Sequence, residues 1–394
     1  MLKRFLAGLA ALALVAQPVA AASLAPPTGP LAAGDINAIV NNLVQSINAG
    51  VTPQSMAPFA NFRNYLDNGE FNVTQRGTTA VTGINATATY LWDRWAGYAN
   101  NASQNITLTN VTSGLPTAPI NAAQVGRTSG SNTTQACLVQ EIPTADVPAL
   151  AGQPVTLSFY ALAGAGLATA ASNTLQVYLN AGTGTDQGLS TLIGSAPTTI
   201  NSFTGASNPI STSQVISTSW ARYTFTGQMP VGAMEAAVQI CYTPSGATQS
   251  NEYFQVDEVQ LEQGSTASAF ENRPYAVELA KAQRYFWRIT EPAASVNVTL
   301  QGAAASATQC NAVVKFPVTM RSAPTLTAST VTSGTTWQAV AVGVAANTSA
   351  IATYTANTTD TANLNITTAG MTAGQACGLQ GKGGGATLSW SADF

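Results

Sequence analysis

A chain of 394 residues with 14 basic and 17 acidic side chains, a formal charge of −3 and no histidine excludes several functions at the outset. A charge this small leaves no electrostatic footprint for nucleic acid or an anionic membrane, and without histidine neither a Ser-His-Asp nor a Cys-His arrangement can be built. Ala, Thr, Ser, Asn, Gly and Val predominate while Lys and Glu are scarce, which argues for strands over long solvated helices, in two or three globular units at this length.

Residues 1–22 read as an export leader. Lys3 and Arg4 form a positive start, FLAGLAALALVA is an apolar run of twelve, and Ala20-Ala21-Ala22 offers a cleavage site before Ser23. The run is too short to span a membrane. Residues 23–60 open with a Pro/Gly-rich tether, SLAPPTGPLAAG, followed by DINAIVNNLVQSINAG. The latter predicts a short helix with Asp35 as its N-cap and Gly50 at its end. Ile36, Val40, Leu43 and Ile47 follow the 4-3-4 spacing of a heptad seam. Two heptads are too few to associate alone, so this is either a helix packed on its neighbour or an oligomer neck. As a neck, its β-branched seam points to a homotrimer.

From 61 to 270 the strand signals are short and regular. VTLSFYA places Val155, Leu157 and Phe159 on one face, and LQVYLN does the same with Leu175, Val177 and Leu179. Loops such as TPSGATQSN separate the runs, as in a sandwich. In FQVDEVQLEQG the apolar parity changes from Phe254 and Val256 to Val259 and Leu261, which predicts a bulge at Asp257-Glu258. The stretch FENRPYAVELAKAQRYFWR then gathers Glu271, Arg273, Glu278, Lys281, Arg284 and Arg288 among five aromatic rings. Residues 291–394 alternate again in WQAVAVGVAA and ATLSWSADF; in the latter Leu388, Trp390, Ala392 and Phe394 share a face that should close a sheet. Four cysteines fit an oxidising compartment and permit three pairings. Cys137 with Cys241, and Cys310 with Cys377, would keep each bridge within one unit. No CxxC spacing occurs, which argues against zinc or thioredoxin-like chemistry.

NGEFNVTQRGT (68–78), YLWDRWAGY (90–98), LAGQPVTLSFYA, FQVDEVQLEQGSTASAFENRPYAVELAKAQRYFWR and VVKFPVTMRSAPTLT, in this order, resemble the tail-fibre and receptor-binding proteins of bacteriophages and prophages. The likeness covers residues 61–330 and, more loosely, 331–394. It implies a carbohydrate-binding jelly-roll module of the xylan-binding type at 61–270, a connector helix at 271–290 with Pro274 at an early helical position, and a small C-terminal β domain at 291–394. The expected fold class is thus all-β: a jelly-roll β-sandwich, a connector helix and a second small β-sandwich-like domain, with a short N-terminal helix. The leader departs from this family, whose proteins are assembled in the cytoplasm.

Sugar recognition needs flat aromatic faces with amides and hydroxyls around them. Tyr90, Trp92, Tyr98, Tyr178 and Trp220 are the glycan-binding candidates. Trp92 and Tyr178 stand out by parity, whereas Trp95 is expected to pack inward with Arg94 at the edge. Glu70, Asp257 and Glu258 could hold a structural Ca2+; no other cofactor is implied. Glu70, Asp93, Asp257 and Glu258 could supply a glycosidase pair, but the resemblance assigns them to the fold, including Glu70 to a first strand. The implied function is a non-catalytic adhesin for a bacterial surface glycan, extracellular or on a virion surface, beside other virion or surface proteins. Nucleic acid is not an expected partner, and the mature chain is expected to have no membrane span. The alternatives are a secreted bacterial polysaccharide-binding or surface structural protein, and a glycan-depolymerising enzyme.

Overall fold

Apolar alternation sets the strands of the larger unit: β1 (Ala80–Ile84), β2 (Thr89–Trp92), β3 (Trp95–Ala99), β4 (Asn105–Val111), β5 (Ala122–Ser129), β6 (Ala136–Ile142), β7 (Pro154–Ala163), β8 (Thr174–Gly182), β9 (Ser207–Val215), β10 (Ala221–Gln228), β11 (Glu235–Tyr242) and β12 (Tyr253–Gln263). The computed structural model describes residues 63–394 except 78, 100, 102–104, 117–120, 194–200, 291–299, 329–336, 342–343, 349, 354–356 and 382–385. The leader (1–22) and the tether, helix and heptad seam (23–60) lie outside the described residues. The strands pair antiparallel in two six-stranded sheets, β1-β4-β5-β12-β7-β10 and β2-β3-β6-β11-β8-β9, forming a jelly-roll β-sandwich. Val155, Leu157 and Phe159 of β7 face Leu175, Val177 and Leu179 of β8 in its core, all fully buried. Each such side chain contributes about 1.5–3 kcal/mol by leaving water.

The bulge falls where parity predicts it. Register against β7 slips between Asp257 and Gln260, and Glu258 takes a left-handed φ of 49°. The extra residue lets Val256 and Val259 both enter the core. Cys137 and Cys241 face each other across β6 and β11 and are bonded, as are Cys310 and Cys377; this is the pairing that keeps each bridge within one unit. Two short helices decorate the sandwich, α1 (Leu167–Ala171) and α2 (Leu189–Ile193).

The connector is shorter than its helical spacing suggests. Helix α3 spans Tyr275–Gln283, with Pro274 as its N-cap and not inside it. The aromatic run that follows is strand β13 (Phe286–Thr290), because its rings and β-branched residue suit a sheet. The remaining strands are β14 (Leu300–Ser306), β15 (Gln309–Lys315), β16 (Thr325–Ala328), β17 (Trp337–Ala341), β18 (Val344–Asn347), β19 (Ala350–Thr353), β20 (Thr361–Thr367), β21 (Ala376–Gly381) and β22 (Thr387–Ser391). WQAVAVGVAA therefore forms two paired strands, β17 and β18, and not one. The C-terminal β22 sits between β13 and β16, and Trp287 stacks on its cross-strand partner Trp390 at 5.1 Å. The other sheet runs β18-β17-β21-β14-β15-β20-β19. Its two edge strands are joined by residues 348–349 alone, so the sheet must roll back on itself.

One buried carboxylate ties these parts together. Asp67 Oδ1 lies 2.7 Å from Lys281 Nζ and 3.8 Å from Arg273 Nη1, and Oδ2 lies 3.2 Å from Arg94 Nε. Asp67 N–H donates to Gln140 Oε1 (2.7 Å), and Gln140 Nε2 returns a bond to Asp67 O (2.8 Å). Arg94, expected at an edge, is buried; its guanidinium lies 3.5 Å from the Tyr285 ring centroid. Burial alone would raise Asp67, but Lys281, Arg94 and Arg273 together hold it below the usual carboxylate value. Two of the charges concentrated at 271–288, Arg273 and Lys281, meet this group, while Glu271 and Glu278 accept backbone N–H groups of the turn at 63–68 and Arg288 bonds Ser389 and the Arg76 carbonyl.

Asp67→Asn, which keeps the shape and removes the charge, is expected to cost about 3–5 kcal/mol at pH 7 by leaving buried cations uncompensated. Urea denaturation reads this as a lower midpoint. A depressed folded-state value means the carboxylate's stabilisation is present above its unfolded pKa of about 3.9 and is lost as pH falls through the folded value. The gap between the two proteins should therefore close in acid; equal midpoints at pH 7 would contradict the account.

Candidate functional site

Most of the candidate rings belong to the architecture. Trp92 is fully buried, packs edge-on to Phe71 at 5.2 Å and donates Nε1–H to Asn110 Oδ1 (3.0 Å). The β2–β3 register slips between Tyr90 and Trp92, which turns Trp92 inward against simple parity. Trp95 is buried too, its Nε1–H shared by the carbonyls of Asp67 and Asn68. Tyr178, as parity expects, and Tyr98 lie on the outer face of the second sheet, but Leu189 and Leu192 of α2 and Phe203 pack against them there. Their hydroxyls accept from Gln239 Nε2 (2.8 Å) and Gln135 Nε2 (3.2 Å). Tyr90 lies beneath Arg76, whose guanidinium is 4.5 Å from that ring and 3.8 Å from Phe286, so it serves the junction with the second β unit. Trp220 is half-buried and donates to Gly114 O at 2.6 Å.

Glu70, Asp257 and Glu258, the expected calcium ligands, sit as follows. Among the described residues, no three acidic, histidine or cysteine side chains gather into a group that could hold a metal ion. Asp257 is buried within its strand and accepts Glu258 N–H at 2.7 Å. Burial, with Glu258 and Glu70 nearby, pushes it up to about 9.

Glu70 has another setting. It stands on a tight turn, not a first strand. Asn68 and Phe71 take left-handed φ values of 55° and 56°, and the Asn68 side chain braces the turn by donating to Val73 O and Asp93 O and accepting Val73 N–H. Between them only glycine fits at position 69, since a Cβ there would lie 2.3 Å from Val259 O. Phe71 is buried in the core, whereas Glu70 and Asn72 line a cleft of about 340 Å³ with Asn121, Phe270, Asn272 and Tyr275. Tyr275 is 58% exposed.

A relay of amides ends on Glu70. Trp92 Nε1–H donates to Asn110 Oδ1, Asn110 Nδ2 to Asn121 Oδ1 (2.8 Å), Asn121 Nδ2 to Asn72 Oδ1 (3.1 Å) and Asn72 Nδ2 to Glu70 Oε2 (2.9 Å). An indole can only donate, so it fixes the direction of every amide after it. Asn272 Nδ2 donates to the other oxygen, Oε1, at 3.1 Å. Burial, then the negative charges of Glu258 and Glu278, pushes Glu70 up to about 7. The cleft thus offers an acceptor, second N–H groups on two amides and an aromatic face. Asn72, Asn121, Asn272 and Tyr275 escaped sequence reasoning because Asn is abundant throughout and Asn272 lies 202 residues from Glu70; the concentration of charge and rings at 270–288 was the one available signal.

No protein-family model and no curated protein matches the chain. Among solved structures, a CBM4 protein is 15% identical, covers 50% of this chain and 99% of its own, and has a TM-score of 0.29. The CBM22-1–GH10 modules of a Clostridium thermocellum endo-1,4-β-D-xylanase, complexed with xylohexaose, are 13% identical over 53% of this chain and 30% of that one, at 0.30. The enzymatically active domain of bacteriophage CBA120 tailspike protein 4 is 13% identical over 51% and 21%, at 0.27. The sandwich assignment rests on the strand order and register given above.

The raised carboxyls have a consequence for stability. A folded-state value of about 9 for Asp257, against about 3.9 unfolded, means the folded protein holds this proton more tightly. Its contribution is full below about pH 4 and is lost as pH rises toward 9. Asp257→Asn should therefore flatten the decline of Tm between pH 5 and 9. Parallel Tm curves for the two proteins would show that Asp257 titrates normally.

Proposed function

We propose that the chain is a non-catalytic glycan-binding adhesin of the tail-fibre kind it resembles, acting at an extracellular or virion surface. The observation that carries this reading is the cleft at Glu70. Its amides and carboxyl complement ring hydroxyls, with Glu70 held on a braced turn, and the Tyr275 face at the start of α3 suits the apolar side of a sugar. A site with so few stacking rings binds weakly. Linking copies in a homotrimer through the 23–60 segment would raise avidity. A secreted bacterial polysaccharide-binding role uses the same cleft and differs only in where the protein resides. A depolymerising role has one observation in its favour: Glu70 near 7 has a proton donor's value, with Glu278 on the same cleft. Glu278, however, is tied to Arg273 at 3.0 Å and to Asn68 N–H at 2.9 Å.

The test is binding of the full chain to bacterial surface polysaccharides, with Tyr275→Ala beside it. Because Tyr275 is exposed, that variant should keep its stability within about 0.5 kcal/mol and lose roughly tenfold in affinity, about 1.4 kcal/mol. Trp92→Ala should instead lose about 3–5 kcal/mol of stability. Unchanged binding by Tyr275→Ala removes the cleft from the reading, and release of reducing ends from the polysaccharide would replace it with catalysis.

A further inference from the structure

The charges around the cleft are unequally matched. Glu271 and Glu278 lie 3.4 and 3.0 Å from Arg273. Arg273 is itself buried and donates to the carbonyls of Asn64 and Leu66. Lys281, on α3, is 2.7 Å from Asp67. Glu70 is held by two neutral amides, Asn72 and Asn272, and the charges that act on it are those of Glu258, on the β12 bulge, and Glu278, on α3. Both are negative. The carboxyl is therefore oriented for a ligand while its neighbours leave it short of positive charge.

Resting on the glycan reading of this cleft and narrowing it, we infer that the site takes a sugar bearing a free, protonated amine and rejects acidic sugars. The ammonium supplies the charge that Glu70 lacks, in a recess where burial strengthens the attraction. Asn72 Nδ2 and Asn272 Nδ2 each use one hydrogen on Glu70, so each has a second for a ring hydroxyl. Tyr275 then meets the apolar ring face or the ammonium itself. The cleft wall also holds Glu271, Glu278 and Arg273, whose guanidinium is shared by those two acids and the carbonyls of Asn64 and Leu66, so a uronate placed here would meet more negative than positive charge. N-acetylation removes the positive charge and leaves only neutral hydrogen bonding.

Protonation links the two partners. Burial and the acids around it push Glu70 up to about 7, and an ammonium hydrogen-bonded to its oriented oxygens would favour the carboxylate. Binding of the amine should therefore expel a proton at or below neutral pH and weaken as pH falls.

Isothermal titration of the full chain with glucosamine oligomers, N-acetylglucosamine oligomers and galacturonate oligomers decides the matter. At pH 7 glucosamine oligomers should bind about tenfold tighter than the acetylated form, the difference between charged and neutral hydrogen bonds. Galacturonate should not saturate. The glucosamine affinity should fall roughly tenfold from pH 7 to 5.5, with proton release seen by comparing two buffers. Glu70→Gln should bind the amine and acetylated forms alike. If the acetylated or another neutral glycan binds as tightly as the amine in the wild type, the amine inference fails and the glycan reading stands. If no glycan binds at all, both fail. Should Glu70→Gln not fold, the wild-type preference and its pH dependence decide alone.

Discussion

The ion cluster at Asp67 is the constraint on which the arrangement depends. A carboxylate removed from water is held ionised by Lys281, Arg94 and Arg273; Arg94 comes from the β2–β3 hairpin and the other two from the connector. The turn at 64–68, the β2–β3 hairpin, strand β6 through Gln140 and the α3 connector must all be in position for the charges to be matched. Arg94 carries the connection onward, because its guanidinium lies against Tyr285, the residue whose carbonyl accepts Ala392 N–H near the C-terminus. Buried ion pairs of this kind stabilise little against an apolar alternative, but breaking one is costly. A chain with so few charges has gathered them where three segments require fixed geometry.

The same turn carries two carboxyls in opposite states. Asp67, among cations, lies below its ordinary value; Glu70, three residues later and among acids, lies well above it. The braced Asn68-Gly69 corner separates them, sending Asp67 into the junction and Glu70 into the cleft. Structural and ligand-facing electrostatics are thereby built from one short stretch, NYLDNGEFN. The amide relay from Trp92 keeps the cleft side rigid before any ligand arrives, which lowers the ordering cost of binding.

Period-two patterns made much of the fold legible. Strands β7, β8 and β22 bury the residues their alternation selects, and the parity change in β12 marks its bulge. The cysteine pairing followed from keeping bridges within units. What failed did so for identifiable reasons. Parity could not place Trp92, because the register slip that inverts it lies in a strand of four residues. It placed Tyr178 on the outer face correctly, but a sheet pattern does not show that α2 packs against it there. Helical spacing carried the connector too far, since Phe286–Thr290 is a strand chosen by its pairing with β22. The cleft was invisible as a unit: its asparagines lie on separate segments, and nothing in their local sequence distinguishes them from the others.

The central claim is that the braced cleft, and neither sheet face, is where a glycan is held. A crystal structure of the full chain with a bound oligosaccharide tests it most directly. The account predicts a sugar ring over Tyr275 with Glu70, Asn72 and Asn272 within hydrogen-bond reach and the Asn68-Gly69 turn unmoved. A sugar seated on the outer face of either sandwich sheet, with the cleft empty, would contradict it.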